Sequence, residues 1–334
     1  MSDLATHGGR LRRAASAFPE APRPWIDLST GVNPRPYPAP RASRAARARL
    51  PDPADLEDLE ATAAHAFGAP ADRVVAMGGS DTAIRLVALG LGVRSVGIVE
   101  PTYGGHRAAW TDAGVQVAAI SREGLLEAGE RFEVVIVVNP NNPDGAVSAA
   151  GTLVAAATTL AARDGWLIVD EAFAEAAPET SVAGSSAQGL IVLRSFGKFH
   201  GLAGLRLGFV VAPPELARRL RRLRGEWPVS ADAIAAGLTA YADSVWPEQT
   251  RLRLGRAVRR LDALLMGAGF EIVGGTPLFR LAAAPDAPAR FAYLARAGIL
   301  TRPFEDAPRW LRFGLPAPRH WPRLRAALLE ITPP

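Results

Sequence analysis

Between residues 45 and 225, short apolar runs alternate with longer stretches of helical spacing. "RVVAMGG" precedes "SDTAIRLVALGLG", "SVGIVEP" precedes "GGHRAAWTDAG", and "EVVIVVNP" precedes "SAAGTLVAAATTLAARDG". "WLIVDEAF" and "GLIVLRSF" follow. The runs are nearly continuous in Val, Ile and Leu, which predicts strands buried on both faces. Interleaved with helices, they predict an α/β fold with a mainly parallel central sheet covered by helices on both faces. Just ahead, "PDPADLEDLEATAAHAFGAP" predicts a helix with Asp52 and Asp55 as cap candidates and Leu56, Leu59 and Ala63 along one face.

After "EWPVS" the spacing changes. Two helices are expected at about 231–243 and 247–268, strands near 270–282, 299–303 and 310–314, and a closing helix at about 319–330. The division expected is a large domain over 45–225 and a smaller α+β domain over 226–334. A proline- and arginine-rich N-terminal arm, 1–44, completes the smaller one. A chain of 334 residues is long enough for both.

Composition narrows the chemistry. The chain has no cysteine, which excludes disulfides, thiolate catalysis and cysteine-held metals, and its five histidines lack the spacing of a zinc site. No apolar run is long enough to span a bilayer and the N-terminus lacks a signal-peptide core, so a cytoplasmic protein without a membrane partner is expected. The net charge of +5 comes from arginines spread along the chain, without an aromatic-interleaved basic patch. A small anionic substrate therefore accounts for the excess better than nucleic acid does.

Lys198 is the single lysine among 38 basic residues. Either cation serves solubility and ion pairing, but a desolvated lysine becomes a free amine able to attack a carbonyl, which a guanidinium does not. Other polar residues fall where the predicted strands end, the place where open α/β sheets bind ligands. Ser80, Asp81 and Thr82 open a helix after two glycines, suited either to a phosphate or simply to capping. Tyr103 follows "SVGIVEP" as a ring to stack on or a packed loop residue, and Asn142 lies in the turn "NPNNPDG". Asp170 ends a buried strand, where a carboxylate needs a cationic partner or several donors. Ser195, Lys198 and Arg206 follow the next strand. One cofactor would use them all: pyridoxal 5'-phosphate takes a lysine for its aldehyde and a carboxylate for its ring nitrogen.

In "SFGKFHGLAGLRLGF", "NPNNPDG" and "VDEAF" the chain resembles the fold-type-I pyridoxal-phosphate enzymes of aminotransferase class I/II. The resemblance implies Lys198 as the Schiff-base lysine, Asp170 as partner of the ring nitrogen, and Asn142 as donor to the ring's 3-oxygen. It implies Ser80, the Asp81–Thr82 backbone, Ser195 and Arg206 around the cofactor phosphate, Tyr103 as the stacking ring, and Arg312 of "WLRFGLP" at the substrate carboxylate. Two subfamilies compete, histidinol-phosphate aminotransferases and threonine-phosphate decarboxylases of cobalamin biosynthesis. "HGGRLRRAA" and "WIDLSTGVNPRPYP" resemble the opening of the second. That resemblance implies His7, Asn33 and Arg302 at a substrate phosphate, a small phosphorylated amino acid as substrate, loss of its carboxylate, and a homodimer. Phe173, Gly197, Asp144 and Leu50 depart from the group's usual tyrosine, serine, threonine and tyrosine.

Overall fold

The apolar runs form one sheet in a computed structural model that describes residue 4 and residues 8–331. After β1 (Ile26–Asp27), which belongs elsewhere, come β2 (Val74–Met77), β3 (Ser95–Val99), β4 (Gln116–Ile120), β5 (Val134–Val138), β6 (Trp166–Asp170), β7 (Leu190–Ser195) and β8 (Gly208–Val211). These seven lie side by side in the order β2-β8-β7-β6-β5-β3-β4. The pairs from β7 through β4 are parallel, whereas β8 is antiparallel to both β7 and β2. β4 and β8 are not among the strands expected above. β4 carries only the short run Val117–Ile120, on an edge strand with exposed or half-exposed side chains, and β8 is short and merges with the glycine-containing stretch before it.

Side-chain alternation along the buried strands feeds two cores. Val135, Val137, Leu167 and Val169 pack on one face with Leu59, Ala63 and Leu153. Val134, Ile136, Ile168 and Ile191 pack on the other with Ile84, Val87 and Trp110. Both faces are therefore dry, and a charge on these strands is affordable only at their ends.

The free edge of β2 is closed by side chains. Glu60, buried on the helix Pro53–Phe67, accepts the Ala76 N–H at 2.9 Å and pairs with Arg224 at 2.5 Å and Arg221 at 3.1 Å. Those arginines in turn donate to the carbonyls of Ala76 and Val74. The edge groups that would template another strand are thus occupied. Asp52, not Asp55, caps that helix by accepting the Ala54 N–H.

The chain divides into two units that differ from the expected boundaries. The larger holds 37–142 and 146–247; the smaller holds 1–36, 143–145 and 248–334. The larger unit runs past 225 because the helix Ala231–Ala242 packs into its core: Ala233, Ile234 and Ala240 join Leu56 and Leu59. The contact is close, since a Cβ on Gly237 would lie 2.5 Å from Leu59 Cδ1.

Within the smaller unit, β9 (Glu271–Thr276), β10 (Phe279–Ala283), β12 (Arg302–Pro303) and β13 (Trp310–Gly314) form an antiparallel sheet, and β1 pairs in parallel with β11 (Ile299–Leu300). The tripeptide 143–145 belongs here because Asp144 and Gly145 press against β9. A Cβ on Gly274 would lie 2.1 Å from the Asp144 carbonyl oxygen. A helix over Ala287–Arg296, opened by a proline, is one that the hydrophobic pattern does not predict.

Glu60→Ala orphans two arginines and a strand N–H, and is expected to cost about 3–5 kcal/mol in urea unfolding, as breaking one side of a buried ion pair does. Glu60→Gln keeps an acceptor for Ala76 and is expected to cost less.

Candidate active site

The parallel strands run to one edge of the large sheet, and the polar residues picked out in the sequence follow their carboxyl ends. Ser80 and Asp81 come after β2, Tyr103 after β3, Asn142 after β5, and Asp170 closes β6. Ser195 closes β7, with Lys198 on the one-turn helix Phe196–Phe199 that follows. Arg206 precedes β8. Because β8 is antiparallel, its start lies at the same edge: Gly208 is opposite Ser195 on one side and Met77 on the other. Reversal of this one strand brings Arg206 to the site.

Ser80, Asp81, Tyr103, Asn142, Asp170, Ser195, Lys198 and Arg206 line one cavity of about 780 Å³, counting the solvent-filled space at its mouth. Thr82 does not line it, and its hydroxyl donates back to the Gly78 carbonyl at 3.1 Å. A helical threonine readily bonds to the carbonyl four residues earlier, so only its backbone is left for a ligand.

Asp170 is 4% exposed. Its Oδ1 accepts the Ala172 N–H at 3.0 Å, and its Oδ2 is 2.8 Å from Nε2 of His106, a fully buried histidine on the helix Gly105–Asp112. Since Oδ2 can only accept from a neutral or charged ring, Nε2 carries the proton of this bond. Sequence reasoning missed His106. The available signal was its place three residues after Tyr103, in the same strand-end turn. Tyr103 meets its ring edge-on at 6.2 Å and packs over Gly105, where a Cβ would lie 2.3 Å from the tyrosine ring. The turns after β3 and β5 are tied together through Asn141, which accepts from the Thr102 hydroxyl at 2.7 Å and donates to the Pro101 carbonyl at 2.9 Å.

No side chain caps the helix Ser80–Leu91, whose N-cap is Gly79 with φ of +95°. The sequence left open whether Ser80 and Asp81 cap or bind. With the cap position taken by glycine, the first-turn N–H groups and the positive end of the helix are turned to the cavity residues instead. The Arg206 guanidinium lies against Gly79, and a Cβ there would be 2.5 Å from Nη2. Arg206 holds an unusual φ of +56° for a non-glycine residue. A cradle of N–H groups plus a guanidinium is an anion site. Lys198 Nζ lies 5.9 Å from the centre of the Phe173 ring.

Behind the site, Glu171 accepts from Arg194 at 2.7 Å, the Ser181 hydroxyl at 2.6 Å and the Val182 N–H at 2.6 Å. Glu175 lies 3.4 Å from Arg194 and accepts the Tyr241 hydroxyl at 2.9 Å. Burial would raise the Glu175 carboxyl, but the neighbouring His200 and then Arg194 hold it below the usual range. Burial, with Glu175 next, pushes the Tyr241 phenol well up, so it stays a donor.

In the smaller unit, Arg302 and Arg312 are direct partners across β12 and β13. Arg312 is 6% exposed, donates to the Ser29 carbonyl at 2.8 Å, and stands over the Phe279 ring. Burial, and next the charge of Arg302, push its guanidinium down to about 9 against the pull of Asp27. Two like charges placed opposite each other in a sheet repel, and a bound anion relieves that repulsion. Asn33 is buried and its Oδ1 accepts the Arg35 N–H. His7 lies outside the described residues.

The donor set fits pyridoxal phosphate: one amine, a buried carboxylate held at both oxygens, an anion cradle that a Cβ on Gly79 would fill, and an aromatic wall. No group of His, Cys, Asp or Glu among the described residues could hold a metal ion, and no helix there is long and apolar enough to cross a membrane.

The model of the family described as "Aminotransferase class I and II" matches residues 21–322. The chain is 42% identical to a threonine-phosphate decarboxylase of Pseudomonas aeruginosa over 99% of both chains. It is 30% identical to histidinol-phosphate aminotransferase 1 of Cupriavidus pinatubonensis, over 93% of this chain and 76% of that one. Its fold is shared with a histidinol-phosphate aminotransferase from Sinorhizobium meliloti solved in complex with pyridoxal-5'-phosphate, with a TM-score of 0.82, 21% identity, and 96% of this chain and 93% of that chain covered.

Gly79→Ala forces a methyl against Arg206 and strains the backbone. Affinity for pyridoxal phosphate, read by absorbance titration, is expected to fall by about tenfold or more, the loss of one to two kcal/mol of anion binding.

Proposed function

The chain belongs to the family of class I and II aminotransferases, and on that premise we propose that it binds pyridoxal phosphate and decarboxylates L-threonine O-3-phosphate. The products are (R)-1-amino-2-propanol O-2-phosphate and carbon dioxide, a step of cobalamin biosynthesis. The observation that carries the reading is the 42% identity to a threonine-phosphate decarboxylase across 99% of both chains. The corresponding figures for the histidinol-phosphate aminotransferase are 30% and 76% of its length. The reading includes a homodimeric, cytoplasmic enzyme.

In this reading Lys198 would hold the cofactor by its aldehyde carbon. The Ser80–Thr82 backbone, Ser195 and Arg206 would hold its phosphate, Tyr103 would stack on its ring, and Asn142 would donate to its 3-oxygen. When bound, pyridoxal phosphate supplies an electron sink for the pair left at Cα. Asp170, fixed by His106 and the Ala172 N–H, holds a proton on the ring nitrogen. Phe173 offers no hydroxyl, so Asn142 is left as the donor named for the 3-oxygen.

The choice of bond belongs to the residues that orient the substrate. With the cofactor bound, the bond broken at Cα would be the one these residues present to it, so a decarboxylase would have to hold the carboxylate as the group that leaves. Arg302, Arg312, Asn33 and His7 grip the substrate's anionic groups, and binding energy at a distal phosphate enforces that placement. Once carbon dioxide has left, Lys198 is the group suited to deliver the proton that Cα takes up.

Purified protein with pyridoxal phosphate is expected to release carbon dioxide from L-threonine O-3-phosphate without any keto acid. Turnover of histidinol phosphate dependent on 2-oxoglutarate, with no carbon dioxide from threonine phosphate, would falsify the assignment.

The arginine pair gives a further prediction. Arg302→Met removes one of the two opposed cations, and KM for the anionic substrate is expected to increase by about tenfold, as for one lost charge-assisted contact.

A further inference from the structure

His200 stands two residues beyond Lys198 and plays no part in the chemistry above. Its ring is buried, stacked at 4.3 Å on Phe196 and at 5.5 Å on Trp246, with interplanar angles of 16° and 11°. Its Nδ1 lies 3.2 Å from the Phe196 carbonyl and 3.3 Å from Glu175 Oε2. A carbonyl can only accept, so Nδ1 carries the proton of the bond to Phe196, with the Glu175 carboxylate at ion-pair distance. Tyr241 and Phe199 close around the ring edge-on, and Tyr37 donates its backbone N–H to the His200 carbonyl at 2.8 Å.

A phenylalanine would fill the same aromatic sandwich, so packing alone does not require an imidazole. The helix Phe196–Phe199 has only four residues. A helix that short closes too few hydrogen bonds to hold itself, and its geometry must be imposed by neighbours. Gly197 packs against Ala203 on one side, where a Cβ would lie 2.5 Å from Ala203 Cα. On the other side His200 bonds to the helix's first carbonyl and stands within ion-pair distance of Glu175, which Arg194 and Tyr241 fix in place. Glu171 and Glu175 follow Asp170 in the chain, and Arg194 precedes Ser195. The network behind the cavity thus reaches the ends of β6 and β7, and His200 is its link to the turn that carries the lysine. Trp246 and Tyr37 lie at the ends of the larger unit's span, 37–247, so the same ring also anchors both ends.

We propose that His200 is a positioning residue for Lys198: its Nδ1–H, donated to the Phe196 carbonyl with the Glu175 carboxylate beside it, holds the one-turn helix in the orientation that presents the amine to the cavity. This rests on the reading of Lys198 as the cofactor-binding amine. It predicts that loosening the bond misplaces the amine without disturbing the groups that grip the substrate.

The test uses the full-length protein and three variants. His200→Phe keeps the stacking and removes the donor. His200→Asn puts an amide N–H near the place of Nδ1, and Glu175→Gln removes the charge it faces. Lys198 is the chain's one lysine, so methyl acetimidate labelling of the cofactor-free protein, read by peptide mass, reports on that amine alone once the N-terminal peptide is set aside. His200→Phe and Glu175→Gln are expected to label Lys198 faster, by about threefold or more, as a loosened turn exposes its side chain. In the loaded enzyme kcat is expected to fall about tenfold while KM stays within about twofold, the signature of an interaction used after binding. His200→Asn is expected to recover most of both.

Wild-type labelling and kcat in His200→Phe and Glu175→Gln would overturn the proposal. So would a loss in His200→Phe that His200→Asn does not recover, since packing and not the hydrogen bond would then be at work. If His200→Phe does not fold, Glu175→Gln gives the same two readings. Failure of the Lys198 assignment is seen separately, as wild-type protein that stays colourless with pyridoxal phosphate.

Discussion

A strand covered on both faces by apolar side chains can place a charge only where it ends, and the large sheet is built under that constraint. β5, β6, β7 and β8 are buried along almost their whole length. The polar residues at the edge where the parallel strands finish are consequently the ones with a role beyond packing. Asp170 is tolerated there because it is held from two directions, by His106 and by a backbone N–H. A lone carboxylate at that depth would instead take up a proton and lose its value as a partner for a cation.

The reversed strand β8 completes the arrangement. A seventh parallel strand would have needed a long crossover, with its beginning at the opposite edge. By turning back directly after the lysine-bearing turn, the chain returns to the same edge within a few residues and delivers Arg206 beside Gly79. The glycines at 79, 197 and 208 are the cost of this crowding. Each sits where a Cβ would meet a guanidinium or a backbone atom at 2.7 Å or less. Gly197, which departs from the serine usual in related enzymes, has this local reason.

Charge is handled differently in the two units. In the larger one, acids and bases are paired and buried: Glu60 with Arg221 and Arg224, Glu171 and Glu175 with Arg194, Asp170 with His106. In the smaller one, Arg302 and Arg312 oppose each other across a strand pair, and burial adds to the strain on Arg312. Breaking a buried pair is costly, whereas two opposed cations favour any anion that comes between them. The first pattern builds a rigid frame, and the second leaves a concentrated positive charge that would favour an anion.

Much of this was legible in the chain before folding. Val/Ile runs of strand length interleaved with helices point to a buried, mainly parallel sheet, and residues that follow its parallel strands gather at one edge. The lone lysine, the aspartate closing "WLIVD" and the arginine after "GLAGL" could be placed at that edge on this basis, and they line one cavity there. What remained hidden depends on partners distant in sequence. His106 reads as an ordinary helical residue until Asp170, 64 positions away, comes within hydrogen-bond distance. The direction of β8, the membership of 143–145 in the smaller unit, and the boundary at 247 rather than 225 follow from packing between segments with no local signature. Sequence periodicity records which face of an element is dry, and so it determined the layers and the edge. Only tertiary structure decides which face meets which, and hence which buried charges find a partner.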